Sequence, residues 1–233
     1  DRLKVWDVHL LVIWDVGLGP AANGMATIQA VEAMSTEERQ RRLVLVSFES
    51  DLDSLKLAMR HTQWFKHLRH AGPKQLLTKN QWLSPSGAID WLLFPGDFAV
   101  RKFDAPLPDI VFFDPFSFKT DSALWTLASF KDLADVCADR ATELFTYTYS
   151  TRVRAAMLAA GFYVAKGGAT GPKAETTIGM SARAAMTEHG RELLRQEWLG
   201  KWERSDAQVP MGADKEDAAW REAITGHPQF SLK

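Results

Sequence analysis

Asp114-Pro115-Phe116-Ser117-Phe118 sets a carboxylate, a proline and two aromatics directly after the apolar run Asp109-Ile110-Val111-Phe112-Phe113. A carboxylate at the end of a buried strand can take a proton from an amine, and the Pro115 carbonyl can orient the hydrogen that remains. Phe116 and Phe118 would form an apolar wall that favours the neutral amine by desolvation. Upstream, Val12-Ile13-Trp14-Asp15-Val16-Gly17-Leu18-Gly19 reads as a strand running into a tight glycine turn, the usual approach to a nucleotide-like cofactor. Together the two segments point to methyl transfer to nitrogen.

In S-adenosylmethionine the methyl group sits on a sulfonium, so its transfer needs little acid catalysis and depends on holding a neutral nucleophile in line. An alkylamine is largely protonated near neutral pH, which makes Asp114 the candidate catalytic residue and Phe116 its apolar neighbour. The alternative for Asp114, and for Asp121, is a helix N-cap. Gly17 and Gly19 are candidates for the cofactor turn, against a plain strand-ending turn. Glu49 ends the next apolar strand, Leu43-Val44-Leu45-Val46-Ser47-Phe48, where it can accept hydrogen bonds from two ribose hydroxyls. It lies further from Gly19 than the usual spacing of roughly 20 residues, and the polar connector Ser35 to Arg42 accounts for the excess. Asp97, in Pro95-Gly96-Asp97, can accept from the exocyclic amine of adenine or can close an Asx turn. Asp15 can orient an amino-acid ammonium through water or hold the glycine loop by a structural hydrogen bond.

These groups need a scaffold that delivers strand ends to one edge. Asn23 to Met34 suits a helix, Leu52 to His70 another, and Ile89 to Phe94 and Asp109 to Phe113 two further apolar strands. A helix is expected between Ser122 and Cys137. Such alternation predicts an α/β fold with a parallel sheet covered by helices. Beyond it come a strand from Glu143 to Ser150, a helix from Arg152 to Ala160 ended by Gly161, and a hairpin of Phe162 to Lys166 with Thr176 to Met180. From Ser181 the composition changes to charged helix carrying Trp198, Trp202 and Trp220, so residues 1–180 are expected as the catalytic domain and 181–233 as a helical extension packed on it.

Composition sets limits. The 233 residues are 46% apolar and 24% charged, ordinary for a globular protein. No apolar run approaches the roughly 20 residues of a membrane span, so no membrane partner is expected. With a net charge of -1, a nucleic acid would have to be held by a local basic face. Candidates are Lys66, His67, Arg69, His70, Lys74 and Lys79, and the pair Arg152 and Arg154, although a solvated helix face is the commoner meaning of such clusters. His67 and His70 lack a nearby acid or cysteine pair for zinc, and Cys137 is the only cysteine, so no metal site and no disulfide is expected. Trp198, Trp202 and Trp220 can stack on bases or, at helical spacing, pack the extension. The cytoplasm is the default location. The chain opens at Asp1, and the kindred phrases Leu3 to Val8 and Leu11 to Val16 suggest that residues are missing near the start.

The ordered series Val16-Gly17-Leu18-Gly19, Phe48-Glu49, Gly96-Asp97, Asp114-Pro115-Phe116 followed by Ala123-Leu124-Trp125, Thr146-Tyr147-Thr148, Val153-Arg154, Ala160-Gly161-Phe162 and Gly171-Pro172-Lys173-Ala174-Glu175-Thr176 carries a resemblance. Over roughly residues 11 to 180 it resembles the methyltransferase domain of the bifunctional tRNA 5-methylaminomethyl-2-thiouridine biosynthesis enzymes. The resemblance implies a class I S-adenosylmethionine fold, with about seven strands and an antiparallel last strand. It also implies methylation of the primary amine of 5-aminomethyluridine at the tRNA wobble position. By matching position, Gly17, Gly19, Glu49 and Asp97 would bind the cofactor, Asp114 would receive the amine with Phe116 beside it, and Lys173 and Glu175 would lie on a substrate-side loop; Asp15 and Pro115, from the reading of the residues themselves, are further cofactor-side candidates. Three departures stand out: Pro115 replaces a small residue, Lys173-Ala174 stands where two basic residues are usual, and no flavin-dependent oxidase half is present. The rival readings are an N-methyltransferase for a free or protein amine, and a non-catalytic cofactor-binding subunit. A dehydrogenase is disfavoured because Gly17 and Gly19 are not completed to Gly-x-Gly-x-x-Gly.

Overall fold

Strands apolar on both faces must be covered on both sides, and this demand organises the first half of the chain. The computed structural model describes residues 10–39, 41–116, 122–169, 174–187 and 191–231. The chain divides into two compact units, one ending at Pro115 and one beginning at Phe116. In the first, the order is β1 (Leu10–Val16), α1 (Ala22–Glu32), β2 (Arg42–Glu49), α2 (Asp53–Arg60), a 3-10 turn (Lys66–Arg69), α3 (Ala71–Lys79), β3 (Gln81–Leu83), β4 (Ile89–Pro95), α4 (Phe98–Arg101) and β5 (Ile110–Phe113). The strands lie in the order β3-β4-β2-β1-β5. The β1–β2, β1–β5 and β2–β4 pairs are parallel, and β3 runs antiparallel to β4.

One face of these strands offers Ile13, Leu43, Leu45, Ile89, Trp91 and Leu93, which close over Met25 and Ile28 of α1, Leu55 of α2 and Leu76 of α3. Each such side chain contributes roughly 1.5–3 kcal/mol on full burial. The opposite face is aromatic: Phe48 meets Trp14 and Phe98 edge-on with centroids 5.1 and 5.0 Å away, and Phe98 meets Phe113 at 6.2 Å.

The helix expected from Leu52 to His70 is broken. α2 stops at Arg60, and His61 (φ -124°, ψ 43°) leaves the helical region. Arg60-His61-Thr62-Gln63 supplies no apolar residue for another core-facing turn, whereas Phe65 and Leu68 just beyond do reach the core. α3 and β3 are additions to the expected order. Pro73 is tolerated in α3 because it falls in the first turn, where its missing N–H has no intrahelical partner to lose.

The second unit carries a 3-10 turn (Ala123–Trp125), α5 (Leu127–Cys137), β6 (Glu143–Thr146), α6 (Thr151–Ala159), β7 (Tyr163–Gly167), β8 (Thr176–Met180), α7 (Ala182–Thr187), α8 (Gln196–Glu203) and α9 (Ala219–Thr225). β8 is antiparallel to both β6 and β7, as expected for the closing strands. β6 ends earlier than Ser150 because the hydroxyls of Thr146 and Thr148 accept the N–H groups of Thr148 and Ser150, which turns the chain. The extension covers the edge of β7, where Leu194 N–H donates to Val164 and the Gln229 side chain bonds both Val164 N–H and Val164 C=O. Trp202 and Trp220 are buried edge to face with centroids 6.3 Å apart, so they pack the extension and are not displayed for stacking on bases. Among the described residues there are eight strands, β3 being the one beyond the expected seven, and no helix is long and apolar enough to cross a bilayer.

Candidate functional site

Four strand ends meet at one edge of the first unit. β1 is paired with β2 on one side and β5 on the other, so the chain order reverses at its carboxyl end and opens the crevice where ligands bind in such sheets. Val16 is level with Phe48 and Phe113, which brings Gly17, Glu49 and Asp114 to the same height, while Glu49 pairs with Pro95 just before Asp97.

Gly17 is fixed by sterics. It has φ 89°, and a Cβ built there would lie 2.4 Å from the Asp114 carbonyl oxygen and 2.9 Å from Pro115 Cα. Only glycine lets the turn pass this close to the Asp114-Pro115 backbone. The turn is pinned to β2, with Gly17 and Leu18 N–H donating to Phe48 O at 3.1 and 3.3 Å and Gly19 N–H donating to Glu49 Oε2 at 2.9 Å. Glu49 Oε1 accepts from Asp51 N–H at 3.1 Å, so this side chain shapes the glycine turn. Gly19 has φ 48° but open space around its Cβ position. Gly17→Ala should therefore lower unfolding free energy by about 2–4 kcal/mol, whereas Gly19→Ala should cost only about 1–2 kcal/mol, as read from urea denaturation. Equal losses would show that the Asp114 contact does not constrain Gly17.

Asp114 N–H donates to Val16 O at 2.9 Å, and Asn23 Nδ2 donates to Asp114 Oδ2 at 3.1 Å. Asn23 stands in the first turn of α1 and has no counterpart in the sequence reading; its one signal is its place four residues after Gly19. Among the described residues no helix begins until Ala123, so Asp114 caps none of them. Asp97 does cap: its Oδ1 accepts from Ala99 N–H at 2.8 Å at the start of α4, which realises the turn alternative and leaves Oδ2 for a ligand amine.

Asp15 is fully buried beneath the turn. Its Oδ2 accepts from Ser47 Oγ at 3.0 Å, and that oxygen accepts from Trp91 Nε1 at 2.9 Å. Oδ1 has no hydrogen-bond partner among the described residues. Burial pushes the carboxyl up from 3.8 to about 7; the Ser47 bond opposes the shift, and the charges of Asp114 and Glu49 add to it. An edge carrying Glu49, Asp97 and Asp114, with a buried Asp15 oxygen lacking a donor beside it, fits a cationic ligand.

Phe116 belongs to the second unit, is 66% exposed, and its carbonyl accepts from Trp125 Nε1 at 2.8 Å. Lys173, Ser117, Phe118 and Asp121 lie outside the described residues. Glu175 is described and pairs with Arg154 Nη1 at 2.9 Å, while Arg154 Nε and Nη2 donate to Thr177 Oγ1 and Thr176 O. At 4% exposure, with its donors committed internally, Arg154 is not a phosphate contact, which corrects that expectation. Arg152 Nε likewise donates to Val209 O at 3.2 Å. His67 Nε2 lies 2.9 Å from Pro20 O, and His70 caps α3 by accepting from Gly72 N–H. Among the described residues no three His, Cys, Asp or Glu side chains converge as a metal site.

Residues 60–182, just over half of the chain, match the family described as S-adenosyl-L-methionine-dependent methyltransferase. The tRNA 5-methylaminomethyl-2-thiouridine biosynthesis bifunctional protein MnmC of Aeromonas hydrophila subsp. hydrophila is 29% identical over 194 residues, covering 78% of this chain and 29% of that protein. The chain thus spans less than a third of this curated relative. The crystal structure of MNMC2 from Aquifex aeolicus superposes with a TM-score of 0.63 at 20% identity, covering 93% of this chain and 67% of that one, and shows a shared fold.

Proposed function

Since the chain belongs to the S-adenosyl-L-methionine-dependent methyltransferase family, we propose that it is an N-methyltransferase whose acceptor is the aminomethyl group of 5-aminomethyl-(2-thio)uridine at the tRNA wobble position. The observation that carries the amine chemistry is the Asp114 carboxylate, held by Asn23 at the end of β5 against the cofactor turn. The likeness to MnmC supports the RNA acceptor. S-adenosylmethionine supplies an electrophilic methyl group on a sulfonium. Gly17 keeps the turn tight against the Asp114-Pro115 backbone and Gly19 leaves open space beside it, while Glu49 and Asp97 would accept hydrogen bonds from ribose and adenine and Asp15 would orient the ammonium through water. Asp114 accepts the acceptor amine and takes a proton from it, so that the nitrogen lone pair forms the N–C bond as the C–S bond breaks. Phe116, Lys173 and Glu175 are kept as substrate-side candidates on the sequence and its resemblance alone. Residues 1–180 form the catalytic domain, with 181–233 an extension packed on it. Such an acceptor places the protein in the cytoplasm.

The second reading, a free or protein amine, is favoured by Pro115, which departs from the family pattern directly after the catalytic acid. Transfer of labelled methyl to tRNA from cells lacking the wobble methyltransferase, with nucleoside analysis, separates the two. A methylaminomethyl uridine is the expected product. No label in tRNA, with cofactor binding confirmed by calorimetry, would move the acceptor outside RNA or leave a non-catalytic subunit.

Asn23 serves as a positioning residue in this scheme. Asn23→Ala should lower kcat about 10-fold with KM for the methyl donor nearly unchanged, and Asn23→Asp should lower it further by repelling Asp114. A loss confined to donor affinity would assign Asn23 to the cofactor instead.

A further inference from the structure

From Ser54 to Ile89 the chain carries six lysines and arginines and no aspartate or glutamate, although acids outnumber lysine and arginine 29 to 28 overall. Lys56 is paired with Asp53, and Arg69 Nε donates to Thr62 O. Arg60 and Lys66 are exposed and have no acidic partner among the described residues. Between them stands Trp64, 81% exposed, in a chain that buries Trp14, Trp82, Trp91, Trp125, Trp202 and Trp220. An indole left in water within an acid-free stretch of chain is a costly arrangement where six other tryptophans are buried.

The ring is displayed from an anchored turn. Trp64 and Phe65 N–H both donate to His61 O, at 2.9 and 3.2 Å. Leu68 is 1% exposed in the core formed by Met25 and Ile28 of α1, and Phe65 packs against that core. His67 Nε2 meets Pro20 O at 2.9 Å, and Pro20 follows Gly19 of the cofactor turn. The basic turn is therefore tied to the loop that faces the methyl donor.

We infer that Trp64, with Arg60, Lys66 and Arg69, forms a docking surface for a single-stranded segment of the RNA acceptor, one unpaired base stacking on the indole and the neighbouring phosphates lying on the cations. The inference rests on the tRNA reading above. A π-face accepts any unpaired base, and local cations supply the attraction that a net charge of -1 withholds. Membrane docking would call for a broader apolar face than one indole.

The test is steady-state methylation of hypomodified tRNA by the full chain, with donor affinity and thermal melting as controls. Trp64→Ala should raise KM for tRNA about 10-fold, and Trp64→Phe should recover most of that loss. Arg60→Glu combined with Lys66→Glu should raise KM and flatten the slope of log KM against log salt by about 1.4. Donor affinity, melting and kcat at saturating tRNA should hold in all three. Wild-type KM and salt slope in these variants would overturn the docking surface while leaving the wobble reading intact. Failure of the unaltered protein to label tRNA would overturn both.

Discussion

Asp114→Ala is expected to lower turnover by about two to four orders of magnitude while S-adenosylmethionine affinity stays within about threefold. The carboxylate stands at the end of β5 and is steered by Asn23. Without it the amine enters mostly protonated, with no lone pair to attack. Raising the pH towards the pKa of the amine should therefore rescue the variant in part, because solvent then does the deprotonation. Glu49→Ala should behave in the opposite way. It removes the acceptor that holds Gly19 N–H and the candidate partner of the ribose, so donor affinity should fall about 10- to 100-fold before kcat changes. Equal loss of donor binding in both variants, measured by calorimetry, would sink this division of roles.

Stability of the cofactor-free protein is expected to fall as pH rises from about 4 to about 7, through Asp15. Burial first, and the charges of Asp114 and Glu49 after it, raise this carboxyl from 3.8 to about 7 in the folded protein. Below the unfolded value both states hold the proton. Between the two values the folded state keeps a proton that the unfolded state has released, so stability drops by up to about 1.4 kcal/mol per pH unit. The whole shift corresponds to about 4 kcal/mol, fully lost above the folded value. Asp15→Asn should flatten this dependence, and the free-energy difference between variant and parent should swing by about 4 kcal/mol in favour of the variant from pH 4 to pH 8. Parallel curves from urea denaturation would show that Asp15 ionises normally. A cationic ligand should reverse the penalty by favouring the carboxylate. S-adenosylmethionine binding at pH 7 should therefore release protons, detectable by calorimetry in buffers of different ionisation enthalpy, and Asp15→Asn should abolish the release.

The amino-acid sequence alone determined the alternation of strands and helices, the glycine turn, and the acids Glu49, Asp97 and Asp114 at strand ends. Each of these is a local pattern: an apolar run buried on both faces, a glycine where the chain turns, a polar residue where burial stops. It also located the closing hairpin of β7 and β8, because two short β-rich runs bounded by turn residues pair with near neighbours. Local pattern misplaced the end of α2, which stops where Arg60-His61-Thr62-Gln63 leaves nothing to bury. It also could not assign Arg154, whose guanidinium is turned inward to Glu175 and β8. Tertiary structure decided the rest. Asn23 and Asp114 are 91 residues apart, and Asp15 and Ser47 are 32 apart. Both pairs meet because parallel register sets Val16 level with Phe113 and Asp15 level with Ser47. Spacing along a chain fixes which residues share one face of one element; which elements lie side by side, and at what height, is fixed only when the whole set of apolar faces is buried at once.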